Sequence, residues 1–404
     1  MTRILIAWEL GEAYGHFARC LQLAHGLVSR GYSVVLVFKD IRLPPGSRLP
    51  PNVTLLQAPV IHQAHPHQPL ANYAALLQAC GFSSTTDLAA RIRAWQSLFK
   101  LTNPNIVIAD HAPTACLAAR LSDIPSLTVG NGFTIPPSET PWPSIRPWEN
   151  IPGEVLQEAE QRLDDVTESA QCLLGYYSPF RMRELFGEYG ILDTFAELDH
   201  YGERANGCYL GPIATLPQSR QVIWQDSGAC KILAYLRPKV PGFKSIMDAL
   251  RRIDAEVICV VPGLPVEYAR RQASRRFRIA LAPIRLPNLL VEADLSVGYG
   301  NCGFSTQSLL AGVPLLLSPR YVEQALIAHR VEGMGAGVLL DTPTDSGAIC
   351  RGMESVIHET SYRQAAQEFR QRYRSFSGAQ ALEQTLQIIE KYIAAHSIHP
   401  PSIC

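Results

Sequence analysis

Short unbroken apolar runs alternate with longer stretches of helical spacing along this chain. Residues 4–8 (Ile-Leu-Ile-Ala-Trp) form the first run and 33–38 the second. Both have the length and continuity of strands buried on two faces, as in a parallel sheet. Between them Leu21, Ala24, Leu27 and Val28 recur at helical spacing, which predicts a helix over 17–29 with Gly31 as its stop. A strand, a helix and a second strand make a βαβ unit, so the default is a parallel α/β sheet. The grammar returns with a strand at 106–109 ending at Asp110, a helix near 115–121 and a strand at 126–129.

The stretches 40–100 and 133–190 are looser. They hold the Pro-rich segments 43–51 and 133–153 and one apolar helical stretch at 73–80. Irregular insertions are expected there, at a substrate face. Periodicity stops near 211–228 and then restarts. Strands are expected at 231–236, 256–261, 278–281, 295–297 and 315–317. Helices are expected at 243–253, 266–276, 286–293, 305–311 and 323–334, then at 346–358 and 362–394. The pattern therefore predicts two doubly wound α/β domains. They are an N-terminal domain at 1–213, a linker at 214–228, a C-terminal domain at 229–376 and a final helical segment at 377–404. Ligands of such folds meet the carboxyl ends of the strands, and with two halves a cleft is the expected place.

Composition narrows the function. The 404 residues carry 36 Lys+Arg and 36 Asp+Glu. Zero net charge disfavours a protein held on nucleic acid by bulk charge. Ten cysteines show no CxxC spacing, so free thiols in a reducing compartment are expected rather than a zinc ribbon or a disulfide framework. The apolar start is cut short by Glu9, and no stretch reaches the length of a membrane span. A cytoplasmic protein without an integral membrane segment is expected. No Walker pattern appears, against an ATPase.

Candidate chemistry sits in two places. After the strand at 295–297 come Tyr299, Gly300, Asn301, Gly303 and Phe304, then a helix, Gly312-Val313-Pro314, a strand ending at Pro319, and Glu323-Gln324. Glycines allow close backbone approach, and the free amides of a helix start suit a pyrophosphate. Glycine-bearing strand-to-helix turns are also common without any ligand. After the first strand come Gly11, Gly15 and His16. Asp110 ends a strand of the same sheet, where a carboxylate would fix the tautomer of a histidine base.

Together these segments resemble the GT-B glycosyltransferases of the family 1, UDP-glycosyltransferase and macrolide-glycosyltransferase type. Gly300, Gly303, Gly312, Val313, Pro314 and Pro319 match the donor signature. Glu323 and Gln324 stand at its acidic-Gln position, which the resemblance assigns to donor-sugar hydroxyls. Gly11, Gly15 and His16 resemble the Gly-His loop whose His deprotonates the acceptor, with Asp110 its partner. The match extends through 197–212. Departures are Tyr299 for the phosphate-contacting His, Asn301 for Gly, Phe304 for Thr or Ser, and Gln307 for the ribose-binding Glu. Arg237 has two readings, a cation near the phosphates or a surface arginine.

The resemblance implies GT-B, two Rossmann-like domains facing across a cleft, with the last helix crossing back to the first domain. It implies inverting, metal-independent transfer from a UDP- or dTDP-sugar to a hydroxyl of a small molecule, lipid or glycan. The donor is a co-substrate, and no resident cofactor is expected. Alternatives are a non-catalytic homologue that binds a nucleotide or stabilises a partner, and a sugar-nucleotide epimerase or hydrolase. His62, His65 and His67 form a His-rich loop, read as acceptor-side rather than metal-binding. Trp8, Trp95, Trp142 and Trp148 suit either an acceptor pocket or core packing.

Overall fold

The computed structural model describes residues 1–11, 14–44, 46–60, 70–186, 190–213, 221–225, 228–340 and 345–397. The chain divides into two units, Met1–Leu216 with Ser377–Cys404 and Pro217–Phe376.

The first unit runs β1 (Arg3–Trp8), α1 (Tyr14–Ser29), β2 (Ser33–Phe38), β3 (Thr54–Gln57), α2 (Tyr73–Leu77), α3 (Thr85–Thr102), β4 (Ile106–Asp110), α4 (Pro113–Arg120), β5 (Ser126–Gly130), α5 (Gly153–Leu173), β6 (Gly190–Leu192) and β7 (Cys208–Tyr209). Its seven strands lie in the order β3-β2-β1-β4-β5-β6-β7, all parallel. The order reverses between β1 and β4, the usual ligand position of doubly wound sheets. Alternate residues of β1 serve opposite faces. Leu5 and Ala7 join Val35, Val37, Val107 and Ala109 in a core closed by α2 to α5.

The second unit runs β8 (Lys231–Tyr235), α6 (Phe243–Arg252), β9 (Glu256–Val260), α7 (Val266–Gln272), β10 (Phe277–Ala280), α8 (Pro287–Leu290), β11 (Leu295–Gly298), α9 (Cys302–Leu310), β12 (Leu315–Leu317), α10 (Val322–Gly333), β13 (Gly337–Leu339), α11 (Ser346–His358) and α12 (Thr360–Arg372). Its six parallel strands lie in the order β10-β9-β8-β11-β12-β13, with the reversal between β8 and β11. The last helix, α13 (Gly378–Ser397), belongs to the first unit. Leu386 fills the space left by Gly26 of α1, and the Tyr392 hydroxyl donates to the Ser126 carbonyl at 2.8 Å.

Several expectations need correction. The looser stretches contain long helices, α3 and α5. Leu88, Ile92, Trp95 and Phe99 of α3, and Ala159, Leu163 and Ala170 of α5, pack into the first core. Ser84 caps α3, accepting from the Asp87 amide, and Asn103 ends it in the left-handed region. Trp8, Trp95 and Trp142 are buried and Trp148 is exposed; Trp95 and Trp142 belong to the first core, so core packing accounts for those two. α9 starts at Cys302 rather than Ser305, and the final helical stretch breaks between α12 and α13. Part of the expected linker is built into the second unit: Trp224 Nε1 donates to the Leu289 carbonyl at 3.1 Å. Residues 214–220 and 226–227 of that linker, and the loop of His62, His65 and His67, lie outside the described residues.

Candidate functional site

At the carboxyl end of the first sheet, Trp8 and Asp110 are register neighbours on β1 and β4. His16, Arg19 and Cys20 lie on one face of α1, because residues three and four apart in a helix are neighbours. All three reach Asp110. His16 Nδ1 lies 2.8 Å from Asp110 Oδ1, Arg19 Nη1 donates to Oδ2 at 2.7 Å, and Cys20 Sγ stands 3.6 Å from the same oxygen. Arg19 also forks onto Asp193, just after β6, with Nε to Oδ2 at 2.5 Å and Nη2 to Oδ1 at 3.0 Å.

The electrostatics follow from burial and pairing. Burial alone would raise the Asp110 pKa. Arg19, then His16, outweigh it and hold the carboxyl at about 2. Burial pushes Asp193 up, and the Arg19 fork offsets part of that. An ionised carboxylate only accepts, so in the neutral ring Nδ1 carries the proton and the lone pair is left on Nε2. With both carboxylates ionised, the cluster has one negative charge more than Arg19 supplies.

Three neighbours shape the imidazole. The Trp8 ring stacks on it at 5.6 Å and 16°. Nε2 faces the bare side of Gly11, where a Cβ would stand 2.5 Å away, and Gly11 also has a φ of +80°. His111, the residue after Asp110, stacks from another side with ring centres 6.0 Å apart. His111 adopts a φ of 46°, and neither of its buried ring nitrogens has a hydrogen-bond partner among the described residues. Burial, then the nearby His16, lowers its pKa to about 3, so it stays neutral.

The second unit offers a different construction. Gly298 at the end of β11, Gly300 in the turn and Gly303 in the first turn of α9 stand at Gly-x-Gly-x-x-Gly spacing, which escapes the sequence reading. Gly300 has a φ of +89°, and a Cβ there would run into the Gln324 backbone carbonyl. Gly303 is exposed, with nothing within 4 Å of where a Cβ would be. Asn301 occupies the cap position of α9 and makes no side-chain capping bond.

The remaining expected residues sort as follows. Tyr299 is buried, and its hydroxyl donates to the Arg237 backbone carbonyl at 3.4 Å. The Phe304 side chain packs on Tyr235 with ring centres 5.7 Å apart, and its backbone lies in the first turn of α9. Arg237, Asn301, Gln307 and Glu323 are half-buried. Gln324 is buried, with Oε1 accepting from the Arg320 amide at 2.9 Å. His16 and Asp110 are brought together in one unit, and the Tyr299–Phe304 turn and Gln324 in the other.

Arg19, Asp193, His111 and Arg320 escape the sequence reading. Only the nearness of Arg19 to His16 on one helix face could have signalled the first. The stretch 197–212 is tied together by Asp199, which accepts from the Tyr201 amide at 3.0 Å, Arg204 Nε at 2.8 Å and the Tyr209 hydroxyl at 2.8 Å. Among the described residues no group of three or more His, Cys, Asp or Glu could hold a metal ion, and no helix is long and apolar enough to cross a membrane. The nine described cysteines are free.

Residues 244–386 match the family model of the erythromycin biosynthesis protein CIII-like C-terminal domain. A PGL/p-HBAD biosynthesis glycosyltransferase of Mycobacterium tuberculosis is 25% identical over 372 residues, covering 84% of each chain. Among solved structures, the calicheamicin glycosyltransferase CalG4 aligns with a TM-score of 0.68 at 18% identity, over 97% of this chain and 98% of its own. The glycosyltransferase VinC, in complex with dTDP, aligns with a TM-score of 0.63 at 15% identity, over 96% of this chain and 100% of its own. With two parallel Rossmann-like sheets and these structural neighbours, the chain has the GT-B fold, and its residues 244–386 are similar to the C-terminal domain of the erythromycin biosynthesis protein CIII-like family.

Proposed function

We propose that the protein transfers a sugar from a nucleoside diphosphate sugar, UDP- or dTDP-linked, to a hydroxyl acceptor, with inversion and without a metal ion. The observation that carries this reading is the paired chain Asp193–Arg19–Asp110–His16, which ends in the lone pair of Nε2 against bare Gly11. The acceptor hydroxyl gives its proton to Nε2 as its oxygen bonds to the anomeric carbon. Asp110 fixes the tautomer and stabilises the imidazolium, as in triad logic. The bond from the anomeric carbon to the diphosphate breaks, and the electron pair leaves with the phosphate oxygen. Amides at the start of α9, with the turn opened by Gly300 and Gly303, receive that charge. One displacement inverts the anomeric centre. The dTDP bound by VinC supports a dTDP-sugar as one donor.

The test is a panel of UDP- and dTDP-sugars with hydroxyl acceptors in excess EDTA. It follows nucleoside diphosphate release and the anomeric configuration of the product by NMR. Acceptor-dependent release with inverted configuration is expected. Release without any acceptor would point to a hydrolase or epimerase. A retained configuration would remove the single displacement, loss of activity in EDTA would remove metal independence, and no release with any pair would favour a non-catalytic binding protein.

A further inference from the structure

We propose that Arg320 is the cation that grips the donor diphosphate in this chain, in place of the imidazole that the family resemblance leads one to expect at Tyr299. The inference rests on the donor site proposed above. Arg320 follows β12, the strand beside β11, so it stands at the same sheet edge as the glycine turn. Its guanidinium lies over the Tyr299 ring, 5.8 Å from the centroid. Nη1 donates to the Pro319 carbonyl at 3.2 Å, and the backbone amide is held by Gln324 Oε1. Nε and Nη2 are buried and have no hydrogen-bond partner among the described residues.

Those two nitrogens form one edge of the guanidinium. The same edge of Arg19 grips both oxygens of Asp193. Arg320 therefore presents an empty fork of the geometry that binds two anionic oxygens side by side. Partial burial lowers its pKa, and no carboxylate among the described residues pairs with it. A half-buried cation with two buried, idle N–H groups is costly, and an anion at the fork would offset that cost. The Tyr299 hydroxyl is turned to the Arg237 carbonyl. What Tyr299 offers is its ring, a platform that holds the guanidinium in place. A diphosphate, with oxygens on two adjacent phosphorus atoms, is the ligand class this fork and the neighbouring helix start can hold together.

The experiment measures binding of thymidine, dTMP, dTDP, uridine, UMP and UDP to the full chain, by calorimetry and by melting shift. Wild type, Arg320→Gln and Arg320→Lys are compared. Arg320→Gln should weaken the bound diphosphate about tenfold to a hundredfold, the size of a charge-assisted hydrogen-bonded contact, and leave the nucleoside unchanged. Arg320→Lys should recover part of the loss, because it keeps the charge without the fork. Ligand-free melting shows that each variant is folded, and Arg320→Lys serves alone should the glutamine variant unfold. Wild-type diphosphate affinity in Arg320→Gln, or in Arg320→Lys, would overturn the fork while the donor reading stood. A wild type that binds neither diphosphate would overturn the donor reading itself, and this inference with it.

Discussion

At the end of the first sheet, charge is met by charge: Asp110 takes His16 and Arg19, and Arg19 takes Asp193. At the end of the second sheet, polar groups wait. Nε and Nη2 of Arg320 and the hydroxyls of Ser305 and Ser318 are buried without partners among the described residues. On the function proposed above, the first region holds a base, which must keep its tautomer and direction before substrate arrives, and its ion pairs are already formed in the free protein. A binding turn gains affinity from donors that no protein group already occupies. Damage to the first region should therefore appear in the stability of the free protein, and damage to the second in the affinity for ligand. His111, with two idle ring nitrogens beside His16, is an element of the first region built like the second, and Glu9 Oε1 and Thr194 Oγ1 are likewise buried without a hydrogen-bond partner among the described residues.

The largest effect is expected at Arg19. Arg19→Met leaves two buried carboxylates without their cation, and breaking such a group costs about 3–5 kcal/mol. Denaturant unfolding of the free protein measures it, and a loss below about 1 kcal/mol would remove the distinction between the regions. Gly300→Ala comes next. The left-handed backbone and the Gln324 carbonyl both oppose a Cβ, at a cost of about 1–3 kcal/mol. Calorimetry should also find diphosphate binding lost in this variant, whereas Arg19→Met, once folded, should keep it.

Acid provides a third test. Asp110 falls from its ordinary 3.8 to about 2 in the folded chain, and His111 from 6.5 to about 3. A folded pKa below the unfolded one gives stability that is full above the unfolded value and lost as pH falls toward the folded value. His111 thus draws stability down between pH 6.5 and about 3, and Asp110 between 3.8 and about 2. Unfolding measured from pH 7 to 4 should show a shallower decline in His111→Gln than in wild type. The smallest effect is expected at Tyr299→Phe. Its hydroxyl makes one long contact, so stability should fall by less than about 1 kcal/mol, with diphosphate affinity unchanged because the ring remains under Arg320.

How much of this was legible depended on range. β1, α1 and β2 could be read because each side of the βαβ unit is a contiguous apolar run or stripe. α3 and α5 carry apolar positions at the right spacing, but their outer faces hold charges such as Asp87, Arg93, Glu158 and Arg162, and Pro-rich segments flank them. Their helical character is secured by the shared core that the fold supplies. His16 and Asp110 stood out because each ends or opens a regular element. Asp193 did not, because it meets Arg19 across 174 positions and no local pattern links them. Arg320 went unread because nothing local marks it: only the fold brings Tyr299 beneath its guanidinium.

The most direct measurement sets turnover of His16→Ala beside its diphosphate binding, with the donor and acceptor pair that the wild type uses. Loss of a positioned general base should lower kcat by about a hundredfold to ten-thousandfold. The melting shift given by dTDP or UDP should match wild type, since the proposed donor site lies in the other unit. Turnover within a few-fold of wild type would contradict the assignment of His16 as the base.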